Sequence, residues 1–222
     1  MATTPERYWT RLTDPLVRQN PVTLQILGIC SALAVTTTLD TALTMSVSLI
    51  VVIVASAGIV SLIRRHIPST IRLIVQIVIV ASLVIVIDQF LQAYLFDISQ
   101  RLSVYVSLIT TNCLVLGRTE SFARNNPPLV AMTDALGNGL GYALVLTIIG
   151  AVRELFGTGR LLGVQLFATV DQGGWFQPLN LMLLAPSAFF LLGGLVWIVR
   201  SVWRDQAEPP EFEAPKAGGP SP

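Results

Sequence analysis

LQILGICSALAVTTT occupies residues 24–38 and holds one of the chain's two cysteines, Cys30, near its centre. LSVYVSLITTNCLVLG, residues 102–117, holds the other, Cys113. Each is an apolar run of barely the length that crosses a bilayer, which takes ~20 helical residues. Each also opens a group of three apolar segments. The pairing predicts two related halves that bring two thiols to the middle of a membrane.

The composition supports a membrane. Of 222 residues, 53% are hydrophobic and 12% charged. The mean hydropathy is +0.69. Soluble domains carry about 25% charged residues. The deficit is what a lipid-facing surface requires, since a charge at a helix centre costs roughly 2.5–3.5 kcal/mol on insertion scales. The net charge of +1 and the lack of a long basic run point away from nucleic acid.

Charges mark six segments: residues 22–38, 41–63, 71–96, 102–117, 135–152 and 179–199. The Val- and Ile-rich second and third do not alternate with polar residues, as outer-membrane strands would. The expected fold is therefore all-α and integral to the membrane, with six transmembrane helices. Residues 21–203 form the membrane domain, in repeat halves of about 21–98 and 99–203. Residues 1–20 do not read as a signal peptide, which places a basic start directly before an apolar core. They read as an interfacial segment, with Tyr8, Trp9, Leu12, Leu16 and Val17 on one side, or as a solvated tail. Residues 204–222, rich in Pro, Gly and acid, read as a disordered tail. The long connection 157–178 is a candidate interfacial or partner-docking stretch.

Lys and Arg set the orientation. With a cytoplasmic N-terminus, Arg7, Arg11, Arg18, Arg64, Arg65, Arg72, Arg118, Arg124, Arg200, Arg204 and Lys216 lie inside. Only Arg101, Arg153 and Arg160 lie outside. Both termini are therefore expected in the cytoplasm. Trp9, Trp197 and Trp203 then fall near the inner interface, and Trp175 near the outer one.

Three segments per half is an odd number, so similar halves must enter the membrane from opposite sides. A pair of short or broken segments at matching positions then points to the site. Here these are the first segments of each half. Counted along unbroken helices, Cys30 lies ~12 Å from one face and Cys113 ~16 Å from the other, both near the midplane. Three readings of the thiols stay open: inert apolar residues, a disulfide if the Cα atoms lie within ~7 Å, or metal ligands. Iron–sulfur clusters take four thiolates as a rule, so a cluster needs two more from another subunit.

NPVTLQILGICSALAVTT, RRHIPSTIRLIVQ, ASLVIVIDQ, TNCLVLGRTESFA, DALGNGLGY, VRELFGTG and LLAPSAFFLLGGLVW closely resemble the Nqr/Rnf family of membrane subunits. These belong to bacterial sodium-translocating NADH:quinone oxidoreductases and to Rnf ferredoxin:NAD oxidoreductases. The resemblance covers about residues 15–202, and the IRLIVQIVIVASLVIVIDQ run looks more like the quinone-reductase branch than like the E-type component of Rnf. It implies a six-helix subunit with a 3+3 inverted-topology repeat in the bacterial inner membrane. It also implies pairing with a homologous membrane subunit, the E-type component of the same complex, and contact with the other Nqr subunits. A [2Fe–2S] cluster between the two would take Cys30 and Cys113 as ligands and relay electrons across the membrane. FMN, FAD, riboflavin and NADH would bind other subunits, and the reaction would be sodium-translocating NADH:ubiquinone reduction. A relay near the midplane divides a ~30 Å crossing into two hops.

Other residues carry weaker signals. Asp88 interrupts the third segment and Asp134 precedes the fifth, and either could line a sodium path. The plainer readings are interfacial solvation or pairing with Arg101 for Asp88. For Asp134 the plainer reading is an acid at a helix N-terminus. Gly28 and Gly117 read as close-approach or packing glycines, as do Gly137, Gly139 and Gly141, whose spacing is no dinucleotide fingerprint. Arg153–Glu154 and Arg118/Glu120 read as interface charges, and His66 as solvated. No catalytic triad, Walker loop or zinc spacing is present. The reading is an electron-carrying subunit of a redox-driven sodium pump. An Rnf-type subunit, an inverted-repeat ion transporter using Asp88 and Asp134, and a structural subunit with inert thiols are the alternatives.

Overall fold

The computed structural model describes residues 20–64, 68, 71–94, 108–161, 164–165 and 184–202. Six helices are named here: α1, Ile29–Val35; α2, Leu39–Ile63; α3, Arg72–Tyr94; α4, Cys113–Arg118; α5, Pro128–Thr158; and α6, Ala185–Val202. A π-helical turn, Thr119–Ala123, continues α4. Three of the helices, α2, α3 and α5, are long and apolar enough to cross a membrane, and α6 is a shorter apolar helix. The N-terminal segment, His66, Arg101, Trp9, Trp175, Trp203, most of the 157–178 connection and the C-terminal tail lie outside the described residues.

Sequence explains the long helices. Between Asp40 in its first turn and Arg64 at its end, α2 carries no charge. Its hydroxyls bond back into the helix: Thr44 donates to the Asp40 carbonyl, Ser46 to that of Ala42 and Ser48 to that of Thr44. A hydroxyl satisfied within its own helix can face an apolar environment without an orphaned donor. Pro128 sits in the first turn of α5, where its missing N–H costs nothing. Gly159 closes the helix in a left-handed conformation, donating to the Leu155 carbonyl. α5 thus starts at Pro128, earlier than Ala135, the boundary expected from charge. A two-residue antiparallel pair follows, Arg160 opposite Gln165 and Leu161 opposite Val164, a small departure from an all-helical reading.

The core is the pairing of α2 with α5. A Cβ on Gly58 would meet Met132, one on Gly139 would meet Ile50 and Ile53, and one on Gly150 would meet Ala42 and Leu39. Early residues of one helix thus face late residues of the other, and the two run antiparallel. Leu49, Ile53, Tyr142 and Leu146 are fully buried between them. α3 is peripheral: its apolar stretch is 17% buried, against 50% for α2 and 56% for α5. It touches the core through Val80 and Val84, while Ile74, Val78, Ile85, Val86 and Phe90 point outward.

The first and fourth segments are broken. Residues 21–27 form turns and irregular chain, and helix begins only at Ile29. The expected depth of Cys30 assumed an unbroken helix from Val22, so that count does not hold. In the fourth segment, residues 108–110 are helical, 111–112 are not, and helix resumes at Cys113.

Gly139 gives a direct test of this packing. A Cβ there would approach Ile50 Cγ1 to 3.1 Å, whereas one on Gly193 meets nothing within 4 Å. Gly139→Val is expected to cost about 1–3 kcal/mol through overpacking. In detergent it lowers the thermal midpoint, while Gly193→Ala leaves it unchanged.

Candidate functional site

The two breaks meet. Gly28 closes the first in a left-handed conformation, φ 81°. Its N–H donates to the Cys113 sulfur at 3.0 Å, across 85 residues of chain. Cys30 follows two residues later, in the first turn of α1, and Cys113 is the first residue of α4. Both are free thiols, so the disulfide reading does not apply. Cys30 is exposed on the chain's surface and Cys113 half-buried.

Polar side chains fill the junction. Asn112 caps α4: its Oδ1 accepts from the Leu114 N–H at 2.9 Å. Its Nδ2 donates to Ser31 Oγ at 2.9 Å. Ser31 Oγ donates to the Gly28 carbonyl at 3.0 Å and lies 2.5 Å from Tyr142 Oη. Tyr142, from the middle of α5, is fully buried. Its ring lies flush against the first break, so that a Cβ on Gly28 would come within 2.7 Å of Cε2. Asn20 ties the start of the break to α5, donating to the Gly141 carbonyl at 3.0 Å. Gly28 is therefore a glycine of necessity, both for its φ and for the ring beside it. At Gly117 a Cβ meets only Leu27 at an ordinary 3.6 Å.

Several charges sit elsewhere than expected. Asp134 lies well inside α5, so it is no N-terminal acid. It forms a bidentate pair with Arg118, at 2.6 and 2.7 Å from Nη2 and 3.2 Å from Nε. Arg153 and Glu154 are not interface charges either; both are buried. Arg153 donates to Thr36 Oγ1 at 2.8 Å and to the carbonyls of Leu33 and Leu184, bridging the end of α1 to the start of α6. Glu154 accepts from the Leu39 N–H at 2.7 Å, at the start of α2. Glu120, in the π-helical turn, pairs with Arg72 and Arg124 and accepts from Gln76 at 2.8 Å. Asp88 is half-buried on α3 and accepts from Gln92 at 2.9 Å.

Of the residues singled out in the sequence, the structure brings Cys30 and Cys113 to one junction and leaves Asp88 and Asp134 on separate ion-pair or hydrogen-bond partners. The polar set around the thiols, Ser31, Asn112 and Tyr142, was not among them. The available signal was position: Ser31 follows one cysteine, Asn112 precedes the other, and both are polar inside apolar runs.

Apolar spanning helices packed around two facing breaks define an integral membrane protein whose site lies where helices are interrupted. The chain belongs to the Rnf-Nqr subunit family of membrane proteins, whose model matches residues 8–196. It is 55% identical over 197 residues to the D subunit of the Na(+)-translocating NADH-quinone reductase of Shewanella frigidimarina, covering 89% of this chain and 94% of that one. It is 54% identical over 200 residues to the protein of the same name from Psychromonas ingrahamii, covering 90% of this chain and 95% of that one.

The Arg118–Asp134 pair is expected to be structural. Arg118→Leu strands a carboxylate whose side chain is 9% exposed, at a cost of about 3–5 kcal/mol. The double substitution Arg118→Leu/Asp134→Leu removes both charges and recovers most of that loss. Thermal unfolding of the three forms in detergent measures it.

Proposed function

We propose that this chain is the D-type membrane component of a sodium-translocating NADH:quinone reductase, and that Cys30 and Cys113 supply two of the four thiolates of a [2Fe–2S] cluster. The other two come from a homologous membrane protein of the same complex, the E-type component in the resemblance. The observation that carries this reading is the Gly28 N–H on the Cys113 sulfur, because it joins the two thiol-bearing breaks.

The residues fit such a group. A backbone N–H aimed at sulfur stabilises thiolate, the form that ligates metal. Cys30 opens onto the chain's outer surface, where a second subunit can reach it. When bound, the cluster supplies a one-electron station inside the membrane. The chain's own part is to hold two sulfurs at fixed depth, exclude water with Tyr142 and the α2–α5 core, and offer a surface to the partner.

The antiparallel course of α2 and α5, the second segments of the two halves, supports a 3+3 inverted repeat with six spans. So does the contact between the breaks that open each half. An inner-membrane setting with both termini in the cytoplasm follows from the Lys and Arg distribution. For sodium, Asp134 is already committed to Arg118, which leaves Asp88 the better placed of the two acids.

The test is iron content and low-temperature EPR of the whole complex. Cys30→Ala and Cys113→Ala are each expected to remove the same two irons and the same signal while the complex stays assembled. Unchanged iron in an assembled complex would overturn the cluster assignment and leave the thiols as packing residues.

A further inference from the structure

The hydrogen-bonded set Tyr142–Ser31–Asn112 connects the two turns that carry the sulfurs. Ser31 is the residue after Cys30, and Asn112 the residue before Cys113. One hydrogen bond, from Asn112 Nδ2 to Ser31 Oγ at 2.9 Å, spans the junction between them. Ser31 in turn holds the Gly28 carbonyl at 3.0 Å, and the N–H of that same glycine lies on the Cys113 sulfur at 3.0 Å. Tyr142 closes the set from α5. Its Oη lies 2.5 Å from Ser31 Oγ and 3.4 Å from the Gly28 carbonyl, and its ring is pressed on Gly28 itself.

All the parts are buried. Tyr142 is 0% exposed, Ser31 3% and Asn112 4%. No water competes for these groups, so each hydrogen bond has a fixed partner, and the loss of one leaves a donor or acceptor stranded. Gly28 has no side chain of its own, and its left-handed backbone is one of many that a glycine can adopt. Its direction is set by what is bonded to it, which is this hydroxyl pair and the ring.

The geometry points to Tyr142 as a positioning residue for the metal-ligating thiols: through Ser31 and Asn112 it fixes the Gly28 turn, keeps its N–H on the Cys113 sulfur, and ties the two thiol-bearing turns to each other. This rests on the cluster reading above. A hydrogen bond to a cluster sulfur stabilises the reduced, more negative state and raises the potential. Deleting the hydroxyl lets the turn relax, weakens the N–H···S contact and lowers the potential.

The experiment uses the intact complex, with Tyr142→Phe, Ser31→Ala and their double. Tyr142→Phe retains the ring that packs on Gly28 and removes only the hydroxyl. Ser31→Ala removes the other end of the same contact, together with the bonds of Ser31 Oγ to the Gly28 carbonyl and Asn112. Redox titration followed by EPR is expected to show iron retained, the potential lowered and the g-values shifted in both single variants. Because the Tyr142–Ser31 contact is lost in each single variant, the double variant's shift should be smaller than the two single shifts added. An unchanged potential and spectrum in both singles overturns the proposal, and so do fully additive shifts. If Tyr142→Phe fails to assemble, Ser31→Ala alone decides by the same potential and spectrum. Cys30→Ala and Cys113→Ala in parallel separate the two levels. If they leave the iron in place, the cluster reading itself has failed. If they remove it while Ser31→Ala and Tyr142→Phe change nothing, only the positioning role has failed.

Discussion

A polypeptide that leaves the helix inside an apolar segment must find partners for its backbone within the protein, because lipid offers none. Each polar group left unsatisfied there costs several kcal/mol. This chain interrupts two such segments and meets the demand by placing the interruptions against each other. The Gly28 N–H goes to the Cys113 sulfur, and the Gly28 carbonyl to Ser31. The N–H groups of Leu24 and Leu27 turn back to the carbonyls of Asn20 and Pro21. Asn112 receives the Leu114 N–H that begins the second short helix. The packing around the breaks follows from this requirement. α5 must present a ring at Gly28 and an accepting carbonyl at Gly141, and the Tyr142 and Asn20 contacts fix its register on the first half.

The same constraint governs the charges. Half-buried Arg118 and buried Asp134 neutralise one another in a bidentate pair, the geometry in which guanidinium and carboxylate best satisfy each other's remaining protons and lone pairs. Arg153 meets its demand with backbone carbonyls and a threonine hydroxyl at the ends of α1 and α6. Glu154, its neighbour in sequence, is spent on the first N–H of α2. Two adjacent charged residues thus act as end-caps for other helices. A hydroxyl, a carbonyl or an N–H at a helix end is an unpaired dipole, and these side chains supply the complementary charge.

The long helices could be read from charge boundaries alone, since α2 ends at the first arginine after a charge-free run. Where a charge is paired internally the same rule misleads. Asp134 marked a segment boundary in sequence, but its partner lies 16 residues upstream, so the helix runs through it from Pro128. The shortness of the first and fourth segments marked them as a matched pair, short or broken, and Cys30 and Cys113 stood out as the only cysteines. Their proximity to Ser31, Asn112 and Tyr142 was not legible. Those bonds join residues 81 and 111 positions apart, and neither periodicity nor spacing along one helix carries information across such distances. The burial of Arg153 was hidden for the same reason. Beside a glutamate at the end of an apolar run it has the appearance of a solvated pair.

Arg153 also bears on how the helices are held together. A guanidinium stays charged in any protein environment, and one of its partners here, the Leu184 carbonyl, lies 31 residues further along the chain. That partner belongs to the start of α6 and not to α5 itself. The full set of bonds around Arg153 closes only with the start of α6 in place, so this one side chain couples the docking of α6 to α5 and to the end of α1. α6 is in this sense a lid on a charge carried by α5.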